Sequence, residues 1–222
     1  MDTKNINFKE NKLHIFLIFL ISLIISFSYN FLQYGIDGGL ILANRISYPD
    51  QVSPMMYYFL NSWTAVHQVS YFIIKLGISV EIGSKILMFI STTFFSLGVY
   101  LISNSFSKNK NFSLFLTFVA ILLGKNFGDT DYPSLIFSEH TYGMMSLAIS
   151  TFVFGLIANK NLLLSGAFSM ILISFHPVVG LWILFINLLS FFICDQINLD
   201  KKKFFKGLII GVLILLISYF FF

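Results

Sequence analysis

Charge is scarce in this chain. Asp, Glu, Lys and Arg together make up 11% of its 222 residues, under half of the roughly 25% usual in a water-soluble domain. So few charges cannot cover a water-facing surface, which argues at once against a soluble enzyme, a nucleic-acid binder and a disordered chain. Cysteine is almost absent, and a lone Cys194 excludes an intrachain disulfide. Arginine is reduced to Arg45, beside thirteen lysines. No apolar run carries regularly spaced arginines, so there is no voltage sensor. The lysines are scattered between apolar runs instead of gathered on one face, so no nucleic-acid partner is expected. Walker, GxSxG, HExxH and CxxC patterns are all missing. Neither an internal repeat nor an inverted match between the two halves is present, which counts against a transporter.

What is there is apolar: 57% hydrophobic and 18% aromatic residues, with a mean hydropathy of +0.84. At about 20 residues per span, the length admits six or seven spans and no separate soluble domain. The expected fold is all-α, a polytopic membrane helix bundle of about seven transmembrane helices forming a single domain over 1–222, with an interfacial helix in the first outer loop. Residues 1–12 are a polar cytoplasmic tail. The run from Leu13 to Leu32 is a retained first helix, since no small-residue cleavage site follows it. Residues 34–82 form the first outer loop: a Gly- and Pro-rich turn segment over 34–54, then an amphipathic interfacial helix over 55–77. Further spans fall at 83–103, 112–124 and 142–158, with a second outer loop over 125–140. A hairpin of 161–175 and 178–194 turns at His176-Pro177, and a last run covers 207–222. The chain stops in an apolar SYFFF run, the pattern of a truncated reading frame.

Lysine placement orients this layout. With the N-terminus inside, the inner segments hold ten of the fourteen basic residues, and the outer segments hold Asp37, Asp50, Glu81, Asp129, Asp131 and Glu139, six of the ten acids. The expected location is the plasma (inner) membrane, with the N-terminus cytoplasmic and membrane lipid as a partner. The third and fifth spans have only about 13 and 14 continuous apolar residues, roughly 20 Å, against a hydrocarbon core of about 30 Å. The polar residues beyond them then lie at or below the outer interface. Polar backbone at that depth needs burial in protein or a wet cavity. An outward-opening cavity lined by acids and histidines follows.

Several residues there can carry chemistry. Asp37, in Gly-Ile-Asp-Gly-Gly, is either a substrate-facing carboxylate on a sharply turning backbone or an ordinary turn residue. Asp129 and Asp131 form a DxD that can hold Mg²⁺ or Mn²⁺ through oxygen, or a solvated turn. Glu139 and His140 open the fourth span, as first-turn residues or as groups pointing back into the cavity as ligand or acid/base, Glu139 toward a metal and His140 toward substrate phosphate. His176 is a backbone-bonded turn histidine or a metal or phosphate contact. Arg45 is an interface anchor or a bidentate phosphate ligand. His67 and Trp63 share one face of the interfacial helix, as interface packing.

Asp37 in GIDGG, the segment SPMMYYFLNSWTAVHQVSYFIIKLGIS and the segment GDTDYPSLIFSEHTYG together resemble the N-terminal module of the GT-C superfamily, integral-membrane glycosyltransferases that use polyprenyl-phosphate-linked sugars. SFHPVVGLW resembles a His-Pro turn of some relatives. The resemblance covers nearly the whole chain, in layout more than in motif, and the double proline often seen in the first loop is missing. It implies a sugar moved on the outer face from a polyprenyl-phosphate donor. Asp37 matches the catalytic acid, and Asp129, Asp131 and Glu139 match metal or donor-phosphate positions. Two other readings compete: a transporter subunit, which the nearly charge-free span centres oppose, and a non-catalytic multi-pass membrane protein.

Overall fold

The computed structural model describes residues 12–28, 36–46, 64–124, 142–193 and 201–220. Among these the chain is all helical. The helices are α1 (Lys12–Ser28), α2 (Asp37–Leu42), α3 (Ala65–Lys75), α4 (Val80–Ser107), α5 (Lys110–Gly124), α6 (Tyr142–Ala158), α7 (Leu162–Phe175), α8 (Pro177–Ile193) and α9 (Lys201–Phe220).

Local chemistry sets the ends. Thr64 Oγ1 accepts from the His67 amide and starts α3, and Ser79 Oγ accepts from the Ile82 amide and starts α4. Asn109 Oδ1 accepts from the amides of Asn111 and Phe112 and starts α5. Left-handed residues stop four helices: Asn44 after α2, Gly77 after α3, Lys108 after α4 and Lys160 after α6. At Asn44, Gly77 and Lys160 the paired bonds back to the last turn complete a Schellman end.

The 28-residue α4 is the mast of the bundle. It is about 42 Å long and, among the described helices, the one long and apolar enough to cross a membrane by itself. α1 runs antiparallel to it: His14 stacks on Tyr100, and Lys85 lies over the Phe27 ring. α6 runs parallel to it, with Gly98 against Thr151 and Asn159 Nδ2 donating to the Leu101 carbonyl at 2.6 Å. α7 and α8 form an antiparallel hairpin, fixed by Gly180 against Ile173 and by Asn187 Nδ2 donating to Ser169 Oγ at 3.0 Å. α9 returns parallel to α7, with Gly166 seated on Phe204 and Gly207 on Leu163.

These directions give the bundle two ends. One gathers Lys12, Lys108, Lys110, Lys160 and the Lys201–Lys206 turn of α9; the other gathers α2, α3, the start of α4 and the α7–α8 turn. Both described acids, Asp37 and Glu81, lie at the second end, where Glu81 pairs with Lys85 at 2.6 Å.

Beside an apolar core that includes Ile36, Leu87 and Leu172, the bundle buries many small hydroxyls and exposes many large apolar side chains. Ser22, Ser26, Ser91, Ser96, Thr117, Ser165 and Ser169 are fully buried, while α1, α8 and α9 turn Leu, Ile and Phe side chains outward, among them Phe16, Leu181, Trp182, Ile209, Leu213 and Ile217. Contiguous exposed apolar surface on this scale is abnormal in water.

Three boundaries depart from expectation. α4 extends over Val80–Ser107, beyond the expected 83–103, because Ser79 and the Glu81–Lys85 pair continue it upstream and a left-handed Lys108 ends it. α9 starts at Lys201 instead of Gly207: lysine is a good helix former, and Phe204 packs on Phe191 while Lys201, Lys202, Lys203 and Lys206 stay exposed. The 34–54 segment, expected to be only turns, contains α2. Of the interfacial helix expected over 55–77, the described part is α3; residues 51–63, Trp63 among them, lie outside the described residues.

Candidate functional site

α2 is six residues long and begins at Asp37. Isolated, so short a helix would not form in water, and Gly38 and Gly39 would weaken it further. Its support is tertiary. A Cβ on Gly38 would overlap the His67 ring, and one on Gly39 would overlap the Ser70 backbone of α3. The two helices therefore touch backbone to backbone, which only glycine allows. Ile36, fully buried, is wedged against Gly83 at the start of α4. Asp37 is thus held where apolar packing meets the end of the bundle.

That position shapes its chemistry. The side chain is half-buried, and no cation pairs with it among the described residues. Loss of water around the carboxyl raises its pKa above the usual 3.8. The positive end of α2 would act in the opposite direction, and burial outweighs it. The result is a carboxylate more basic than a solvated one.

His67 lies beside it. The ring is 2% exposed and rests on Gly38, the residue following Asp37. Interface packing was the expectation for His67; the structure buries it between α2 and α3. Its face also carries Val66, Ser70, Ile73 and Ile74, all buried. A histidine on the apolar face of an 11-residue helix was the available signal.

His176 stands between α7 and α8 as a cap. Its amide donates to the Leu172 carbonyl at 3.0 Å, its carbonyl accepts from Gly180 at 2.8 Å, and its ring Nδ1 accepts from the Val179 amide at 3.3 Å. The backbone-bonded turn reading is therefore the observed one, with the ring accepting from an amide rather than donating to a carbonyl. As the ring caps the first turn of α8, His176→Ala is expected to cost about 1 kcal/mol, while His176→Asn, which retains a capping oxygen, loses less. Thermal unfolding of the two variants in detergent measures the difference; equal melting points would show that the ring is no cap.

Arg45 is exposed and directly follows Asn44 in the Schellman end of α2, where its amide donates to the Leu40 carbonyl at 2.9 Å. Asp129, Asp131, Glu139 and His140 lie outside the described residues. α5 ends and α6 begins at the Asp37 end: Ile121 and Met145 share one core cluster with Ile36 and Leu40. His176 belongs to this end too, its ring facing Gly143 at the start of α6. Asp37, Arg45, His67 and His176 are therefore grouped at one end, with the His67 ring on Gly38, the residue after Asp37.

An open apolar groove of about 420 Å³ runs along the first turns of α8, between Val178, Leu181, Trp182 and Phe185. No group of three or more His, Cys, Asp or Glu side chains suited to a metal occurs among the described residues. Comparison with protein families, with characterised proteins and with solved structures finds no match to this chain.

Proposed function

We propose that the chain is a bilayer-embedded bundle of seven spans, α1 and α4–α9, with α2 and α3 at the outer interface and the lysine end facing the cytoplasm of a plasma membrane. We further propose that its Asp37 end transfers a sugar from a polyprenyl-phosphate donor. The membrane part is supported by large apolar side chains turned outward while serines and threonines are buried, by glycine-mediated helix contacts of the kind used where lipid surrounds the helices, and by the gathering of eight of the ten described lysines at the end away from both described acids. α1 and α5–α8 have 14 to 17 residues, so each spans with flanking residues reaching the interface or with local thinning of the bilayer.

The observation that carries the catalytic part is Asp37: a half-buried carboxylate, without a cation partner among the described residues and made more basic by burial, at the mouth of an apolar bundle. Placed against an acceptor hydroxyl, it takes the proton as the acceptor oxygen bonds to the sugar C1. The C1–oxygen bond to phosphate breaks, and the phosphate leaves with the electron pair. The exposed Arg45 guanidinium suits the departing phosphate, and the apolar groove on α8 suits a hydrocarbon chain better than a sugar. Among the described residues, no group of His, Cys, Asp or Glu around Asp37 amounts to a divalent-cation set.

The test uses the purified chain in phosphatidylcholine vesicles, offered ¹⁴C-labelled polyprenyl-phosphate glucose, mannose and galactose in parallel, with glycerol and water as acceptor hydroxyls. Release of label from the lipid fraction is expected, with a loss of about 100-fold or more in Asp37→Asn. Equal release by the variant would end the assignment of Asp37, and no release from any donor would end the sugar-transfer reading. Alkaline carbonate extraction tests the membrane part separately: the chain should remain with the pellet.

A further inference from the structure

We propose that the outward face of α9 binds an anionic phospholipid of the lysine-side leaflet, with the phosphate over Lys202, Lys203 and Lys206 and the acyl chains along Ile209, Leu213 and Ile217. This rests on the membrane placement proposed above and is independent of sugar transfer.

α9 has two faces of different use. Phe204, Gly207 and Gly211 are buried, the first against Phe191 of α8 and the two glycines against Leu163 and Ala167 of α7. On the other side, at about 100° per residue, Lys202, Lys203 and Lys206 fall within about 100° of one another. All three are exposed. The same outward stripe continues through Ile209, Leu213 and Ile217, which the described helices also leave open.

The order of chemistry along this stripe is that of a phospholipid, charge first and hydrocarbon after. From Ile209 to Phe220 the helix rises about 16 Å, close to one leaflet's share of a hydrocarbon core of about 30 Å. Lysine stems are long enough to lie on the helix while their ammonium groups stay at the level of a phosphate.

Charge decides which lipid fits. Lys201, Lys202, Lys203 and Lys206 open α9, and clusters of four or more basic residues on the cytoplasmic flank of a span attract anionic headgroups. Asp195 and Asp200, just upstream in the sequence, offset at most two of these four charges. Both described acids, Asp37 and Glu81, stand at the other end of the bundle. A zwitterionic headgroup brings no net charge to meet the excess. Orientation in the membrane requires only that lysines stay on one side. It does not require Lys202, Lys203 and Lys206 to share the outward face of one helix, directly above an apolar stripe.

Photo-crosslinking of the full chain in phosphatidylcholine vesicles tests this. A trace of phosphatidylglycerol or of phosphatidylcholine, each with a diazirine in one acyl chain, is activated, and the label on the α9 peptide is read by mass spectrometry. Phosphatidylglycerol is expected to label α9 about fivefold more than phosphatidylcholine, or better, the worth of one lysine at a membrane surface. The excess should vanish in the combined Lys202→Gln, Lys203→Gln and Lys206→Gln variant and persist when the same lysines become arginine. It should also persist in a control of equal charge change at the same end, Lys12→Gln with Lys108→Gln and Lys160→Gln. Labelling of α9 by phosphatidylcholine checks that the helix is still inserted in each variant. Soluble glycerol 3-phosphate in excess should not compete. Equal labelling by the two lipids, loss of the excess in the arginine variant or in the control, or competition by glycerol 3-phosphate overturns the inference. Label from neither lipid overturns it together with the membrane placement.

Discussion

Gly207→Leu is expected to detach α9 from the bundle, with a larger loss of stability than removal of the His176 cap. A Cβ on Gly207 would overlap the Leu163 carbonyl oxygen of α7 and stand 2.9 Å from the Ala167 amide. One turn on, a Cβ on Gly211 would lie 2.5 Å from the Ala167 carbonyl, and across the contact one on Gly166 would overlap the Phe204 carbonyl. These neighbours are backbone atoms, which cannot rotate aside. Glycine costs about 1 kcal/mol against alanine within a helix, and close approach is what offsets that cost. Between lipid-facing helices, dispersion across such contacts does much of what water exclusion does elsewhere. Forcing the axes apart would also lift Phe204 from Phe191, whose ring centroids are 4.5 Å apart. A cost of about 3 kcal/mol or more is expected for leucine and about 1–3 kcal/mol for alanine. Ile209→Leu, on the outward face at 63% exposure, should stay within about 0.5 kcal/mol. Thermal unfolding in detergent with proteolysis of α9 reads all three, and an unchanged Gly207→Leu would disprove this packing.

What could be read from the sequence depended on whether the cause was local. The bounds expected for the apolar run at 142–158 are those of the helix α6, residue for residue, since a Lys-containing turn closes it and an apolar run fills it. The His176-Pro177 hairpin was legible because proline cannot continue the preceding helix. α2 was not legible. Gly38-Gly39 reads as a turn until α3, some thirty residues later, is known to lie across it. The burial of His67 has the same remote origin, since an amphipathic helix does not announce which neighbour will cover its apolar face. The parallel contact of α4 with α6 depends on Gly98 and Gly155, two isolated glycines far apart in the chain. As for the site, Asp37, Arg45 and His176 could be assigned to one end from the lysine pattern alone, and the packing of Ile121 and Met145 with Ile36 places the helices flanking residues 125–141 at that end as well. The capping role of the His176 ring was out of reach, because it follows from a rotamer.

Asp37→Asn is expected to stabilise the protein at neutral pH while removing the sugar transfer proposed for it. The carboxyl's folded-state pKa is raised by burial. Below the unfolded value of 3.8, the group is protonated in both states and contributes no pH-dependent difference. As pH rises from there through the raised folded value, the unfolded chain releases its proton first, and stability falls. Above the folded value the loss is complete and constant. Asparagine cannot ionise and avoids this loss. The melting temperature of Asp37→Asn relative to wild type should therefore be flat at acid pH, climb across that window, and level off as a positive offset toward neutrality. A purely structural aspartate, paired or bonded in the fold, has the opposite sign: its pKa is depressed, and the amide is the less stable form at neutral pH. An offset that turns negative as pH rises from acid toward neutrality would return Asp37 to an ordinary helix start. A positive one, together with lost label release from the lipid donor, is the trade between stability and activity expected where a fold retains a poorly solvated base for chemistry.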